Sequence, residues 1–187
     1  MGKGGVMVQD VAARHVSRGF LAAEELSGRL LLTQLATRAL EGWCRERGIA
    51  DGHIVVRRHD APAAEALDPT SLAALGGDPS GLTFRRVDIR LAGITLVDAA
   101  NWYFPERLTP AMRERLRGDT PFGETIAALK ARRTTFFVGI ADRDAIEAAV
   151  RHGDAAAPIF EHRAVLALAD GTPLSVVHER YRAVLVR

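Results

Sequence analysis

Cysteine is almost missing from this chain: Cys44 is the only one in 187 residues. A single thiol excludes an internal disulfide, and a Cys-based metal site would need other ligands; the natural setting is a reducing compartment. Lysine is nearly as scarce, present only at Lys3 and Lys130, so arginine carries almost all of the positive charge. The 25 basic residues meet 23 acidic ones, and a net charge of +2 is too small for the footprint of a nucleic-acid-binding protein. No apolar run approaches the roughly 18 residues of a membrane span. The opening stretch MGKGGVMVQDVAARHV lacks an apolar h-region and a cleavage signature, so a cytoplasmic protein with no membrane partner is expected. The six histidines (His15, His53, His59, His152, His162 and His178) show no ligand-like spacing with Cys, Asp or Glu. HExxH, a P-loop, GxSxG and a GxGxxG following a strand are all missing. The expectation is therefore no metal and no cofactor.

What is present is ordinary globular material, 48% hydrophobic and 26% charged, of a length that suits one domain over residues 1–187, with 1–7 an unstructured start. From Gln9 to Gly48 the spacing of Phe20, Leu26, Leu30, Leu35, Leu40 and Trp43 is helical, with Ser27 as an N-cap and Gly48 as the C′ stop. A short strand over 53–58 follows, then a Pro/Gly-rich surface connection over 60–81 with one helical turn near Leu72–Leu75. Strands at 82–91 and 94–104 join at Ala92-Gly93. A small helix at 108–117, a second at 121–131, a strand at 134–140 and a helix at 142–151 lead into a last hairpin, 160–169 and 174–186. The predicted fold is α+β: a single antiparallel β-sheet with helices on one face.

Alternation along the strands decides which residues face inward. Arg85 shares a face with Val87, Ile89 and Leu91, whereas Arg86 sides with Asp88 and Arg90. On the last strand Glu179 shares a face with Val177, Tyr181, Ala183 and Leu185, and His178 lies on the other with Arg180 and Arg182. A buried guanidinium is costly unless paired. Arg85 and Glu179 therefore form either an internal ion pair or the two ends of a pocket. Between them in sequence, Asp119-Thr120-Pro121-Phe122-Gly123 opens a helix, capped by Asp119 or Thr120, with the first-turn N–H groups of Phe122 and Gly123 available to an anion. Arg132-Arg133 reads as a solvated helix end from which one arginine reaches an anion.

Four segments in this order resemble the chorismate lyase (chorismate–pyruvate lyase) family and the wider superfamily it shares with UTRA ligand-binding domains of bacterial transcription regulators. They are LSGRLLLTQLATRALEGWCRERG with HIVVRR, LTFRRVDIRLAGITLVDAANWYFP, DTPFGETI and GTPLSVVHERYRAVLV. The resemblance covers about residues 26–186. It implies helical flaps closing over an internal pocket, and cofactor-independent, monomeric or weakly dimeric chemistry that eliminates pyruvate from chorismate to give 4-hydroxybenzoate. It assigns Arg85 (Arg86 if the register is one off) to the ring carboxylate, the Phe122 N–H to the same ligand and Glu179 to the ring hydroxyl. In that scheme Arg85 and Glu179 are catalytic, Arg85, Phe122, Gly123 and Arg133 bind substrate, and Arg132 or Arg133 holds the enolpyruvyl carboxylate. Two rivals remain: a non-catalytic UTRA-like binder of aromatic acids, and a lyase acting on a modified chorismate. The N-terminal forty-odd residues are short for a winged-helix domain and linker.

Overall fold

The structure, a computed structural model, describes residues 6–60 and 65–187. Helix α1 (Val6–Leu31) and helix α2 (Ala36–Glu46) lead into strand β1 (Ile54–Arg58) and the short helix α3 (Pro69–Ala74). Strands β2 (Thr83–Leu91) and β3 (Ile94–Tyr103) are followed by α4 (Pro110–Arg117) and the single turn α5 (Phe122–Thr125). Then come β4 (Arg132–Ile140), α6 (Arg143–His152), β5 (Pro158–Ala167) and β6 (Pro173–Arg182). One six-stranded sheet results, in the order β1-β2-β3-β6-β5-β4, and every neighbouring pair is antiparallel. The expected α+β class with a single antiparallel sheet is what is observed.

The helical stretch expected over 9–48 is two helices. Leu32–Leu35 breaks it, and the Thr33 hydroxyl accepts from the Leu35 N–H at 3.1 Å to turn the chain. Ser27 is accordingly no N-cap. It lies inside α1, 2% exposed, with its hydroxyl 2.8 Å from His162 Nε2. Gly48, at φ +65°, does end α2. Of the unstructured start expected at residues 1–7, positions 1–5 lie outside the described residues and positions 6 and 7 open α1.

Inner-face residues of β1, β2, β3, β5 and β6 pack against α1, α2 and α6 in the main core, which contains Leu26, Leu30, Trp43, Val87, Val97, Phe160 and Tyr181. The Trp43 indole donates to the Leu185 carbonyl at 2.8 Å, locking α2 to the chain's end. A second cluster seats Leu108, Met112, Leu116, Phe122 and Ile126 on Leu166, Leu174 and Val177. The opposite face is covered as well. Leu75, at the end of α3, joins Ala100, Trp102, Phe104 and Val176 in a third cluster. The segment entering α3 is pinned to that face by Glu65 on Arg86 (2.9 Å) and Asp68 on Arg163 (2.9 Å). His178 faces that side as expected but is only 8% exposed, 2.7 Å from Glu161.

Candidate functional site

The main core and the second cluster meet at a cavity. Val56, Val87, Ile89 and Ala99 line one side, Phe122, Leu166 and Val177 the other. Its volume is about 70 Å³. A single water needs roughly 10–15 Å³ on the same scale, so several waters or a compact ligand fit without movement. All five residues singled out in the sequence line it: Arg85, Phe122, Gly123, Arg133 and Glu179.

The two buried arginines are treated differently by the fold. Arg133 is the second residue of β4, opposite Leu166 of β5, so it is a strand residue and not a solvated helix end. Its Nη2 donates to Glu179 Oε2 at 2.7 Å, with the two side chains 9% and 10% exposed. Tyr181 donates its hydroxyl to the same Oε2 at 2.9 Å. Burial works against the Arg133 charge, but Glu179 and Tyr181 hold its pKa above the ordinary guanidinium value. Both donors use Oε2, which leaves Glu179 Oε1 for the cavity. Arg132, by contrast, is exposed and does not line the cavity.

Arg85 has no such partner. It is 4% exposed, and the alternation argument placed it correctly. Its Nη2 donates to the carbonyls of Gly118 and Thr120, each at 3.2 Å, while Nε and Nη1 are buried with no hydrogen-bond partner among the described residues. Burial lowers its pKa from the ordinary value, as does the neighbouring Arg58 charge; Tyr103 and Asp119 act the other way. The ion pair between Arg85 and Glu179 that the sequence left open is not formed. Their backbones stand two strands and two residues apart, through Asn101 and Ala99, roughly 12 Å at ~4.8 Å per strand and ~3.4 Å per residue. Arg86 points to the other face and pairs with Glu65 and Asp98 through Nη1 and Nη2, with its Nε left without a partner among the described residues.

The helix expected over 121–131 is a single turn and a separate 3-10 turn at Ala127–Leu129. Pro121 takes the N-cap position, and no side chain caps it, so neither Asp119 nor Thr120 fills that role. Four residues sum little dipole, and what the segment offers the cavity is the first-turn N–H groups of Phe122 and Gly123. Sequence reasoning missed two groups of lining residues. Asn101 sits opposite Arg85, 3% exposed, on the inward face of β3 with Val97 and Ala99. A polar residue in that apolar register was the available signal. Gln34–Thr37 lines the cavity where α2 begins, and the Gln34 side-chain carbonyl accepts from the Arg133 N–H at 2.9 Å. The Thr33-Gln34 interruption between apolar helical stretches marked that break. Helix α2 meets the cavity through its first turn. Among α4 residues, Leu116 and Arg117 face a separate cleft.

Among the described residues no group of three His, Cys, Asp or Glu side chains gathers in a way that holds a metal ion. None of the described helices is long and apolar enough to cross a membrane.

No family model matches the chain. The uncharacterized protein y4mC of Sinorhizobium fredii (strain NBRC 101917 / NGR234) is 32% identical over 174 residues, which cover 84% of this chain and 72% of that protein. The chain belongs to the family of y4mC. Among solved structures, PhnF from Mycobacterium smegmatis superposes with a TM-score of 0.55 at 19% identity, over 81% of this chain and 65% of PhnF. The effector domain of PhnF taken alone gives 0.51 at 19% identity, over 80% of this chain and 88% of that domain. The possible transcriptional regulator YydK from Bacillus subtilis gives 0.51 at 14% identity, over 83% and 64%. The chain thus spans just under two thirds of the full PhnF and YydK chains and most of the PhnF effector domain. The fold is UTRA/chorismate lyase-like, an open antiparallel sheet with helices over the cavity.

Proposed function

We propose that this protein binds a small organic acid in the cavity between β2, β6 and the first turns of α2 and α5, as a UTRA-like ligand-binding domain. The observation that carries the reading is Arg85: a guanidinium 4% exposed with two buried N–H groups unused. Leaving a buried donor unsatisfied costs about 1–3 kcal/mol, and more for a charged group. An acid oxygen accepting from Nε or Nη1 removes part of that cost through a charge-assisted hydrogen bond. The Phe122 and Gly123 N–H groups add donors for the same anion. Across the cavity, Glu179 Oε1 is the acceptor for a hydroxyl or amine. Val56, Val87, Ile89 and Leu166 supply apolar walls that suit a ring. The ligand class is an aromatic or cyclic acid with a donor at its far end, of which 4-hydroxybenzoate is the simplest probe. The likeness to the PhnF effector domain supports binding over turnover.

Turnover of chorismate is the second reading, favoured by the free Glu179 Oε1 facing the place a ring hydroxyl would take. Arg133 is engaged by Glu179, so a second carboxylate at that end competes with an existing ion pair, which weighs against it. Titration calorimetry with 4-hydroxybenzoate, beside an assay for pyruvate release from chorismate, separates the two. Binding that Arg85→Met weakens at least tenfold, without pyruvate, is the expected result. Pyruvate release that depends on Glu179 makes the protein a lyase. Undiminished binding by Arg85→Met removes the site assignment.

A further inference from the structure

Arg85 is a wall shared by two spaces. Besides the cavity, it lines an open cleft of about 220 Å³ together with Arg58, His59, Arg86, Arg117 and Tyr103. No carboxylate lines this cleft. Three of its basic side chains are already matched from outside it. Arg86 is held by Glu65 and Asp98 at 2.9 Å each, Arg117 by Glu114 at 2.6 Å and His59 by Asp88 at 3.0 Å. The remaining two are not. Arg58 and Arg85 make no ion pair among the described residues. Asp119 is exposed, and Asp60 and Asp88 share an adjoining hollow with Arg58, but none of the three is ion-paired with either arginine.

The sheet sets these two arginines side by side. Arg58 is opposite Val87 on the adjacent strand, and Val87 is two residues from Arg85 on the same face. Arg58 and Arg85 are therefore diagonal cross-strand neighbours, with Cβ atoms roughly 7–8 Å apart. Like charges at that spacing repel, and the register prevents the strands from sliding to separate them. Two adjacent guanidiniums without a counter-ion, at the mouth of a space that holds no acid, match a dianion in charge and donor geometry.

We propose that the cleft is a second anion subsite, in which Arg58 and Arg85 clamp a phosphoryl group, so that the ligand carries two acidic functions, one on each side of Arg85. This rests on the small-acid reading of the inner cavity. Tyr103 lines the cleft beside Arg85, and its ring suits the ring or chain linking the two functions.

The test uses three probes in titration calorimetry: 4-hydroxybenzoate, inorganic phosphate, and 4-carboxyphenyl phosphate held with its phosphate in the cleft and its carboxylate reaching past Arg85. Arg58 is exposed and at a strand end, so Arg58→Gln leaves the core intact. It is expected to weaken 4-carboxyphenyl phosphate and inorganic phosphate at least tenfold and 4-hydroxybenzoate less than twofold, with Arg58→Lys recovering part of the loss. Gly123→Leu projects into open space within the inner cavity; it is expected to abolish 4-hydroxybenzoate binding and spare inorganic phosphate. The second subsite is overturned if the protein binds neither phosphate compound, if Arg58→Gln leaves both unchanged, or if it weakens 4-hydroxybenzoate equally. Phosphate binding that depends on Arg58, without any 4-hydroxybenzoate binding, sinks the inner-cavity reading and keeps the cleft.

Discussion

Arg85 and Arg133 are both buried arginines on inner faces of one sheet, and they differ in what the chain gives them. Arg133 receives a carboxylate from β6, and the Tyr181 hydroxyl is added to the same oxygen. Arg85 receives two backbone carbonyls and no counter-charge. One end of the cavity is electrically closed, while the other is held open in charge. A pair that satisfies itself belongs to the scaffold. A cation that the fold places in the interior and leaves unmatched belongs to what enters from outside. Glu124 and Glu179 match the two arginines in number along the cavity, yet among the described residues only Arg133 of the two is paired with a carboxylate.

The largest expected effect comes from breaking the closed end. Arg133→Ala leaves Glu179 buried without its counter-ion and is expected to cost about 3–5 kcal/mol, read by urea denaturation. Arg133→Met combined with Glu179→Met is expected to recover most of that loss. A cost near zero for Arg133→Ala would erase the contrast between the two arginines.

Next in size is an effect of pH at the same end. His162 is fully buried behind Glu179, and burial lowers its pKa from 6.5 to about 4. The unfolded chain then binds more protons than the folded one between those two values, so stability falls as pH drops from 6.5 to 4. The shift corresponds to about 3 kcal/mol. A His162→Gln variant is expected to have a flatter stability profile across that window, and an equally steep profile would assign the acid lability to other groups.

Arg85→Met sharpens the comparison from the open side. It removes a desolvated charge along with two hydrogen bonds, so its stability is expected to lie within about 1 kcal/mol of the parent while acid binding is lost. A loss as large as that of Arg133→Ala would place Arg85 with the scaffold. The smallest effect lies away from the cavity. Ala92 sits at φ +46° in the β2–β3 turn, where glycine is unstrained. Ala92→Gly is expected to gain about 1 kcal/mol, or roughly 2–4 °C in Tm, without changing binding.

Much of this was legible in the residues. The period of two on β2 and β6 put Arg85 and Glu179 inside, and the Ala92-Gly93 pair marked the turn between β2 and β3 but not the bulge between Ile89 and Arg90. Element ends fared worse. The 9–48 stretch read as helical with its cap at Ser27 because its apolar spacing runs on past Thr33-Gln34, and a local turn of one hydroxyl and one N–H leaves little trace in periodicity. The Pro121 helix read as too long because Thr-Pro signals where a helix starts and nothing in it signals a stop after one turn. α3 on the second face was expected only as a turn on a surface connection, since six residues carry too few apolar positions to declare a face.

The sequence by itself determined the sheet, its inward faces and the presence of charge in the interior, because side-chain alternation and turn chemistry are local. Which interior charges meet was decided only by tertiary structure. Arg85 on β2 and Arg133 on β4 each stand two strands from Glu179 on β6, so strand order does not choose between them; the fold turns the Arg133 side chain onto the carboxylate and the Arg85 side chain onto the carbonyls of Gly118 and Thr120. Partner choice among buried ions depends on distances between strands far apart in sequence, and no local pattern encodes those.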